Sequence, residues 1–364
     1  MADELERQAM RLSILFEEAG LIALRELSEA LKRGNWNDVH HVLRRDKELR
    51  RLSARIARVM NTASQKSSLV IDQLAMEEYS QAIEEVFSEV NFASTPYPTY
   101  AAINTVQALS GTATAKIAST TLQVVRDVTD VYRSITTQTV QSAIIAGVDH
   151  RTAMRHALNQ YADRGITAFV DRAGRRWSLD SYVDMSVRTM RNQATQEGHL
   201  SGYEQAGVEL VRASWHTASA PQCYPFQNEL LAISGGAGVR EMVDPATGNK
   251  VTVTVKDTLR GAISKGYHHV NCRHRDTAYT PGDPTPQVPM DSPAENKRKY
   301  KATQQQRYME RQLRRWKRRE AVALSPLDRD TARAKTKEWN RRIREHVNNR
   351  EHLTRWSHRE RPRS

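Results

Sequence analysis

Cysteine is scarce: Cys223 and Cys272 are the only two in 364 residues. Two are too few for a disulfide framework, which points to a chain made in a reducing cytoplasm. If the pair meets in space, a metal site competes with a single late disulfide. Aromatic residues are also sparse, at 6% against 39% hydrophobic residues overall. That balance suits helices with narrow apolar stripes better than a thick sandwich or barrel. No apolar run approaches eighteen residues, so no membrane span is expected. The opening MADELERQAM is acidic and amphipathic, unlike the basic-then-apolar start of a secretory leader. A phosphate-cradling glycine loop is missing as well.

Positive charge is abundant and unevenly placed. The chain carries +13, yet residues 293–364 alone hold 23 Lys/Arg against 9 Asp/Glu, an excess of +14. The remainder is close to neutral. A basic tail on a neutral body argues for a polyanionic partner met by one segment, with nucleic acid ahead of an acidic protein surface.

Apolar periodicity predicts helices over most of the chain. Residues 3–33 place Leu5, Leu12, Phe16, Ala19, Leu24, Leu27 and Leu31 on one face before Gly34 and Asn35 break the pattern. A second helix carries Val39, Val42, Leu43, Leu49, Leu52, Ile56 and Val59; a third, 68–90, carries Ile71, Leu74, Ile83, Val86 and Val90. These three are read as helical hairpins. Pro96 and Pro98 mark a boundary. Beyond it Val124, Val128, Val131, Ile135 and Ile144 suggest one long helix over 99–147, closed by Gly147, with another at 150–163. The period then changes. ITAFVDRAGRRWSL reads as a hairpin turning at Asp171–Gly174, followed by a helix over 179–205 and strands at 208–216 and 251–255. A five-proline linker follows, and then a helical tail interrupted at Ser325–Pro326.

The expected fold is mainly α with a small α+β module. Its expected divisions are an N-terminal helical hairpin region (1–92), a central helical region (93–164), the α+β module (165–285), and a proline-rich linker with a basic helical tail (286–364).

The densest chemical signal lies in the module. GYHHVNCRHR supplies His268, His269, Cys272 and His274, with His216 and Cys223 upstream. Imidazole nitrogen and thiolate sulfur suit a tetrahedral zinc ion. Cys223, His269, Cys272 and His274 form the expected ligand set for one structural zinc, with His216 and His268 as alternates. The competing reading is that these residues simply pack the module, Cys223 acting as a small hydrophobe.

Several stretches together resemble a known family. They are Trp215-His216 ending a strand, Ala220-Pro221-Gln222-Cys223, and His269-Val270-Asn271-Cys272-Arg273-His274 ahead of Tyr279 and Pro281-Gly282. To these are added Ser181–Met185 with Arg188-Thr189, and the tail residues Gln304–Arg307, Glu310-Arg311 and Arg314. The pattern is similar to the phage minor capsid protein 2 family and its relatives, the Mu F-like head morphogenesis proteins, over about residues 150–345. The chain departs from that pattern where His274 replaces a cysteine and where Phe226-Gln227-Asn228 replaces Trp-Gln-Gly. The resemblance implies a non-enzymatic minor component of a tailed-phage virion, inside the head near the portal. The expected partners are the portal or major capsid protein and, from the basic tail, the packaged double-stranded DNA, with self-association through the tail's narrow apolar stripe and no membrane.

In the tail, Lys297, Arg298, Lys299, Arg307, Arg311, Arg314, Arg315, Lys317, Arg318 and Arg319 are the expected phosphate contacts, made without regard to sequence. An alternative is a cytoplasmic zinc-stabilised DNA-binding protein. A metal-dependent nuclease is a weaker one, because no helix after Asn271 presents the final histidine such a site needs.

Overall fold

The computed structural model describes residues 2–33, 45–146, 150–164, 166–170, 174, 176–269, 272–284, 288, 290–356 and 360. Helices dominate: α1 (Ala2–Lys32), α2 (Arg45–Glu89), α3 (Tyr100–Ala146), α4 (His150–Arg164), α5 (Leu179–Gln205), the short α6 (Leu259–Ser264), α7 (Pro293–Ala321) and α8 (Pro326–Asn348). Strands are β1 (Thr167–Val170), β2 (Arg176–Ser178), β3 (Leu210–Ala213), β4 (Leu230–Ala232), β5 (Gly238–Val243), β6 (Lys250–Thr258) and β7 (Asp276–Tyr279). The mainly helical fold with a small α+β module is therefore what the chain adopts. No helix among the described residues is long and apolar enough to cross a membrane.

Gly34, Asn35, Val39, Val42, Leu43, Gly147, Gly165, the turn residue Asp171 and the side chain of Ile144 lie outside the described residues. The segments expected as second and third helices differ from expectation in one respect: from Arg45 they run as a single helix, α2. The polar stretch between them, NTASQKSS, contains no Gly or Pro. Its hydroxyls bond back to the preceding turn instead, Thr62 to the Arg58 carbonyl at 2.9 Å and Ser67 to the Ser64 carbonyl at 2.7 Å. Such bonds let Ser and Thr sit inside a helix without ending it.

The chain divides into two compact units, neither of them contiguous in sequence. One comprises Met1–Leu5, Asp72–Gly111 and Arg188–Gln305; the other comprises Glu6–Ile71, Thr112–Val187 and Gln306–Ser364.

The first unit is built on a five-stranded sheet in the order β5-β6-β4-β3-β7, antiparallel except for the parallel pair β4–β6. Side chains alternate across it with the period of two that strands impose. Val211, Ala213 and Leu231 point to one face, joining Val86 of α2 and Tyr203 of α5; Leu210, Leu230, Ala232, Val253 and Val255 fill the other. Gly198 and Gly202, one turn apart on α5, let that helix lie almost on the backbone of α2. A Cβ at Gly198 would fall 2.5 Å from the Tyr79 carbonyl oxygen, and one at Gly202 would fall 2.8 Å from Val86 Cβ. Edge strand β7 is covered by α2, whose Glu89 carboxylate accepts from the Ala278 amide at 2.6 Å.

The second unit is helical apart from the hairpin β1–β2. Phe16, Leu24, Leu27 and Leu31 of α1 and Leu52, Ile56 and Met60 of α2 are buried. Arg55 reaches Glu26 at 2.9 Å, so α1 and the front of α2 are neighbours. Val124, Val128, Val131 and Ile135 of α3 are buried as their spacing requires, and the buried Asp127 accepts from the Tyr161 hydroxyl of α4 at 2.8 Å.

Candidate functional site

The loop after β3 and the segment between α6 and β7 bring the sulfur and imidazole groups together in the first unit. Cys223 precedes a short 3-10 turn, Tyr224–Phe226, and is fully buried. Its Sγ lies 3.6 Å from Cys272 Sγ, well beyond the 2.05 Å of a disulfide. Cys272 Sγ lies 3.1 Å from His274 Nδ1. All three donor atoms fall within 4.8 Å of one another, a group that can hold a metal ion.

Around these three, polar groups fix the imidazoles. The His216 amide donates to Gln227 Oε1 at 3.0 Å, which orients that side-chain amide, and His274 Nε2–H donates to the same oxygen at 3.1 Å. With Nε2 bound to Gln227, Nδ1 is the ring nitrogen that faces the Cys272 sulfur. His268 Nε2–H donates to Asp276 Oδ2 at 2.7 Å, and the other oxygen of that buried carboxylate accepts from the Tyr267 hydroxyl at 2.7 Å. The His216 ring stacks 4.2 Å from that of His274 while its Nδ1–H donates to the Thr217 carbonyl at 2.9 Å. His269 is not in the three-donor group; its carbonyl accepts from the Cys272 amide at 2.6 Å. Val270 and Asn271 lie outside the described residues.

The electrostatics follow from this packing. Burial alone would lower His268, but the Asp276 carboxylate and the Cys272 sulfur outweigh it and hold the imidazole up at about 9. The Cys223 thiol, hydrogen-bonded to Cys272, pulls Cys272 well below the usual thiol range, against burial and with help from His268 and His274. Cys223 is pushed up by the same contact and by burial. Three non-glycine residues around the site, Ala218, Asn228 and His268, have φ of +58°, +60° and +55°. Asn tolerates that left-handed region nearly as well as Gly. Asn228 therefore makes the turn for which the resembled pattern uses glycine, and Gln227 keeps the middle residue of Trp-Gln-Gly. Gln227, Asp276 and Asn296, which brackets Ser219 with bonds of 2.7 and 2.9 Å, were not singled out in the sequence.

The start of α7 is tied into this loop. Asp291 accepts from the Thr217 hydroxyl at 2.7 Å and pairs with Lys299 at 2.5 Å. Lys297 and Arg298 are exposed, Arg298 pairing with Glu295 at 3.8 Å.

In the second unit the rest of α7 turns much of its charge inward. Asp163, in the last turn of α4, pairs with Arg315 at 2.5 Å and with Arg319. Arg318 donates to the carbonyls of Ala162 and Asp163 at 2.9 and 3.3 Å, and Lys317 donates to the Glu360 carbonyl at 2.5 Å. Arginines at the end of α4 satisfy carbonyls that have no partner within the helix and meet the negative end of its dipole. Arg307 and Arg314 are half-buried and Arg311 is exposed.

A further run of exposed charge in this unit lies on α8. Arg329, Arg333, Lys337, Arg341 and Arg344 are all exposed, and at about 100° per residue they fall within roughly a third of the helix circumference. Ala332, Ile343 and His346 occupy the buried side. Arg333 pairs with Glu320 and Arg341 with Glu345. Arg329, Lys337 and Arg344 make no ion pair with any described residue. Such a stripe can meet a row of phosphates.

A family model described as phage minor capsid protein 2 matches residues 2–348. No curated protein and no solved structure matches the chain.

Proposed function

The chain belongs to the phage minor capsid protein 2 family, and from that membership we propose that it works inside the head, near the portal, as a non-catalytic structural component whose basic end contacts packaged DNA. Membership itself makes the chain a bacteriophage capsid component of the virion, and a capsid component has virion-assembly partners. The portal or major capsid protein is the proposed anchor.

The DNA reading is carried by the stripe on α8. Three of its five cations are free of ion pairs among the described residues, and from Arg329 to Arg344 it extends about 22 Å at 1.5 Å per residue. Contacts of this kind read backbone charge and carry no sequence code. The folded geometry favours α8 over α7 as the phosphate-facing helix, because Arg315, Arg318 and Arg319 already bind α4.

The test is duplex binding by the full chain across a salt series, with several unrelated sequences. Wild-type affinity should fall linearly on a log–log plot, equally for all sequences. The triple variant Arg329→Gln, Lys337→Gln, Arg344→Gln should lose about 0.9 of slope per neutralised contact, or about 2.7 in all. An unchanged slope would remove α8 from the interface. Strong preference for one sequence would favour a regulator instead.

A further inference from the structure

We propose that Cys223, Cys272 and His274, joined by His268, hold one zinc ion that staples the loop after β3 to the segment leading into β7. This is independent of any contact with DNA.

The donor spacing argues for it. At Zn–S of about 2.3 Å and Zn–N of about 2.0 Å, a tetrahedron has an S···S edge of ~3.8 Å and an S···N edge of ~3.5 Å. The structure has 3.6 Å between the two sulfurs and 3.1 Å between Cys272 Sγ and His274 Nδ1. Two sulfurs at that separation are not covalently bonded, and the hydrogen bond they share would give way to an ion held between them. They are close to where a shared ion would hold them.

The surroundings argue for it independently. Metal-bound histidines characteristically donate their second ring N–H to a carbonyl or carboxylate, which fixes the tautomer and aims the ligating nitrogen. His274 does this to Gln227 Oε1 and His268 to Asp276 Oδ2. His268 stands outside the three donors that lie within 4.8 Å of one another, so its Nδ1 would have to close on the ion as the fourth ligand. His216 stacks on His274 but gives its Nδ1–H to the adjacent Thr217 carbonyl, so it is a neighbour of the site. The donor set of two sulfurs and two imidazoles is that of a closed structural zinc site.

A staple here has something to hold. The loop it would close carries left-handed Ala218 and Asn228, and Cys223 and Cys272 are separated by 49 residues. The sheet between them is small, with β3 and β4 of four and three residues.

The test uses the reduced full-length chain, measured for zinc by elemental analysis and then titrated with Co²⁺ as a spectroscopic probe. About one zinc per chain is expected, with a thiolate-to-cobalt charge-transfer band and the intense visible bands of four-coordinate cobalt. Cys272→Ser should abolish the charge-transfer band or weaken it by half. In case cysteine variants fail to fold, Gln227→Ala leaves every ligand in place and should weaken metal affinity about 10–100-fold. His268→Ala should weaken it at least as much, and His216→Ala should leave it unchanged. Zinc well below one per chain with no cobalt band overturns the proposal. So does equal loss from His216→Ala and none from His268→Ala, or a Cys223–Cys272 disulfide in protein taken from a reducing cytoplasm.

Discussion

Replacing Asp163 by Asn should destabilise the second unit by about 2 kcal/mol. A carboxylate in the last turn of a helix opposes the helix dipole, so Asp163 is badly placed for α4 alone. Its position makes sense through the arginines of α7: Arg315 at 2.5 Å and Arg319 share the carboxylate, while Arg318 takes the carbonyls beside it. The Asp163 side chain is 16% exposed, Arg319 22% and Arg315 36%. Removing one member of a fully buried pair costs about 3–5 kcal/mol. The partial exposure of Arg315 admits water and reduces the figure to about 2.

The sign with pH is fixed by the same contacts. Burial would raise Asp163, yet the two guanidinium groups outweigh it and hold the carboxyl below its usual value of 3.8. Its contribution is therefore fully present above about pH 4 and is lost as pH falls through the depressed folded-state value. Urea unfolding of wild type and variant at several pH values, read with hydrogen exchange on α4, measures both quantities. The gap should be about 2 kcal/mol near neutrality and should close in acid. A gap under about 0.5 kcal/mol at pH 7, typical of an exposed pair, would refute the reasoning; so would a gap that widens in acid. The DNA salt slope should stay unchanged, since the proposed phosphate contacts lie on α8 and not on these arginines.

Gly198→Ala should destabilise the first unit by roughly 2 kcal/mol despite the ~1 kcal/mol that Ala adds to a helix, because its Cβ meets the Tyr79 carbonyl at 2.5 Å. Gly111→Ala in α3, with nothing within 4 Å, is the control and should be neutral or stabilising by up to about 1 kcal/mol in thermal unfolding. Ser325 caps α8, its Oγ accepting from the Asp328 amide at 3.2 Å and donating to the Asp328 carboxylate at 2.6 Å. Ser325→Ala should cost about 1 kcal/mol and raise amide exchange in the first turn of α8, with the rest of the helix protected.

Local rules made much of the fold legible. The helix at 179–205 is α5, the break at Ser325–Pro326 is the cap between α7 and α8, and VTVTV is the middle of β6. In each, pattern and punctuation lie within a few residues. The clustering of Cys223, Cys272 and His274 was foreshadowed by their residue types, although His269, named with them, lies outside that group. Their supports were not: Gln227 and Asp276 are ordinary polar residues until folding sets them against His274 and His268. Charge was the least transparent. Arg315, Arg318 and Arg319 look like a phosphate surface in sequence, and what turns them inward is an aspartate 152 to 156 residues away. Gly198 and Gly202 gave no signal either, because a glycine pair in a helix matters only when another backbone lies against it.

Electron cryomicroscopy of the intact, DNA-filled particle tests the central claim most directly. The account predicts α8 inside the head with Arg329, Lys337 and Arg344 turned toward the density of the packaged genome. Finding that stripe buried against shell or portal protein, or the chain on the outer surface, would contradict it.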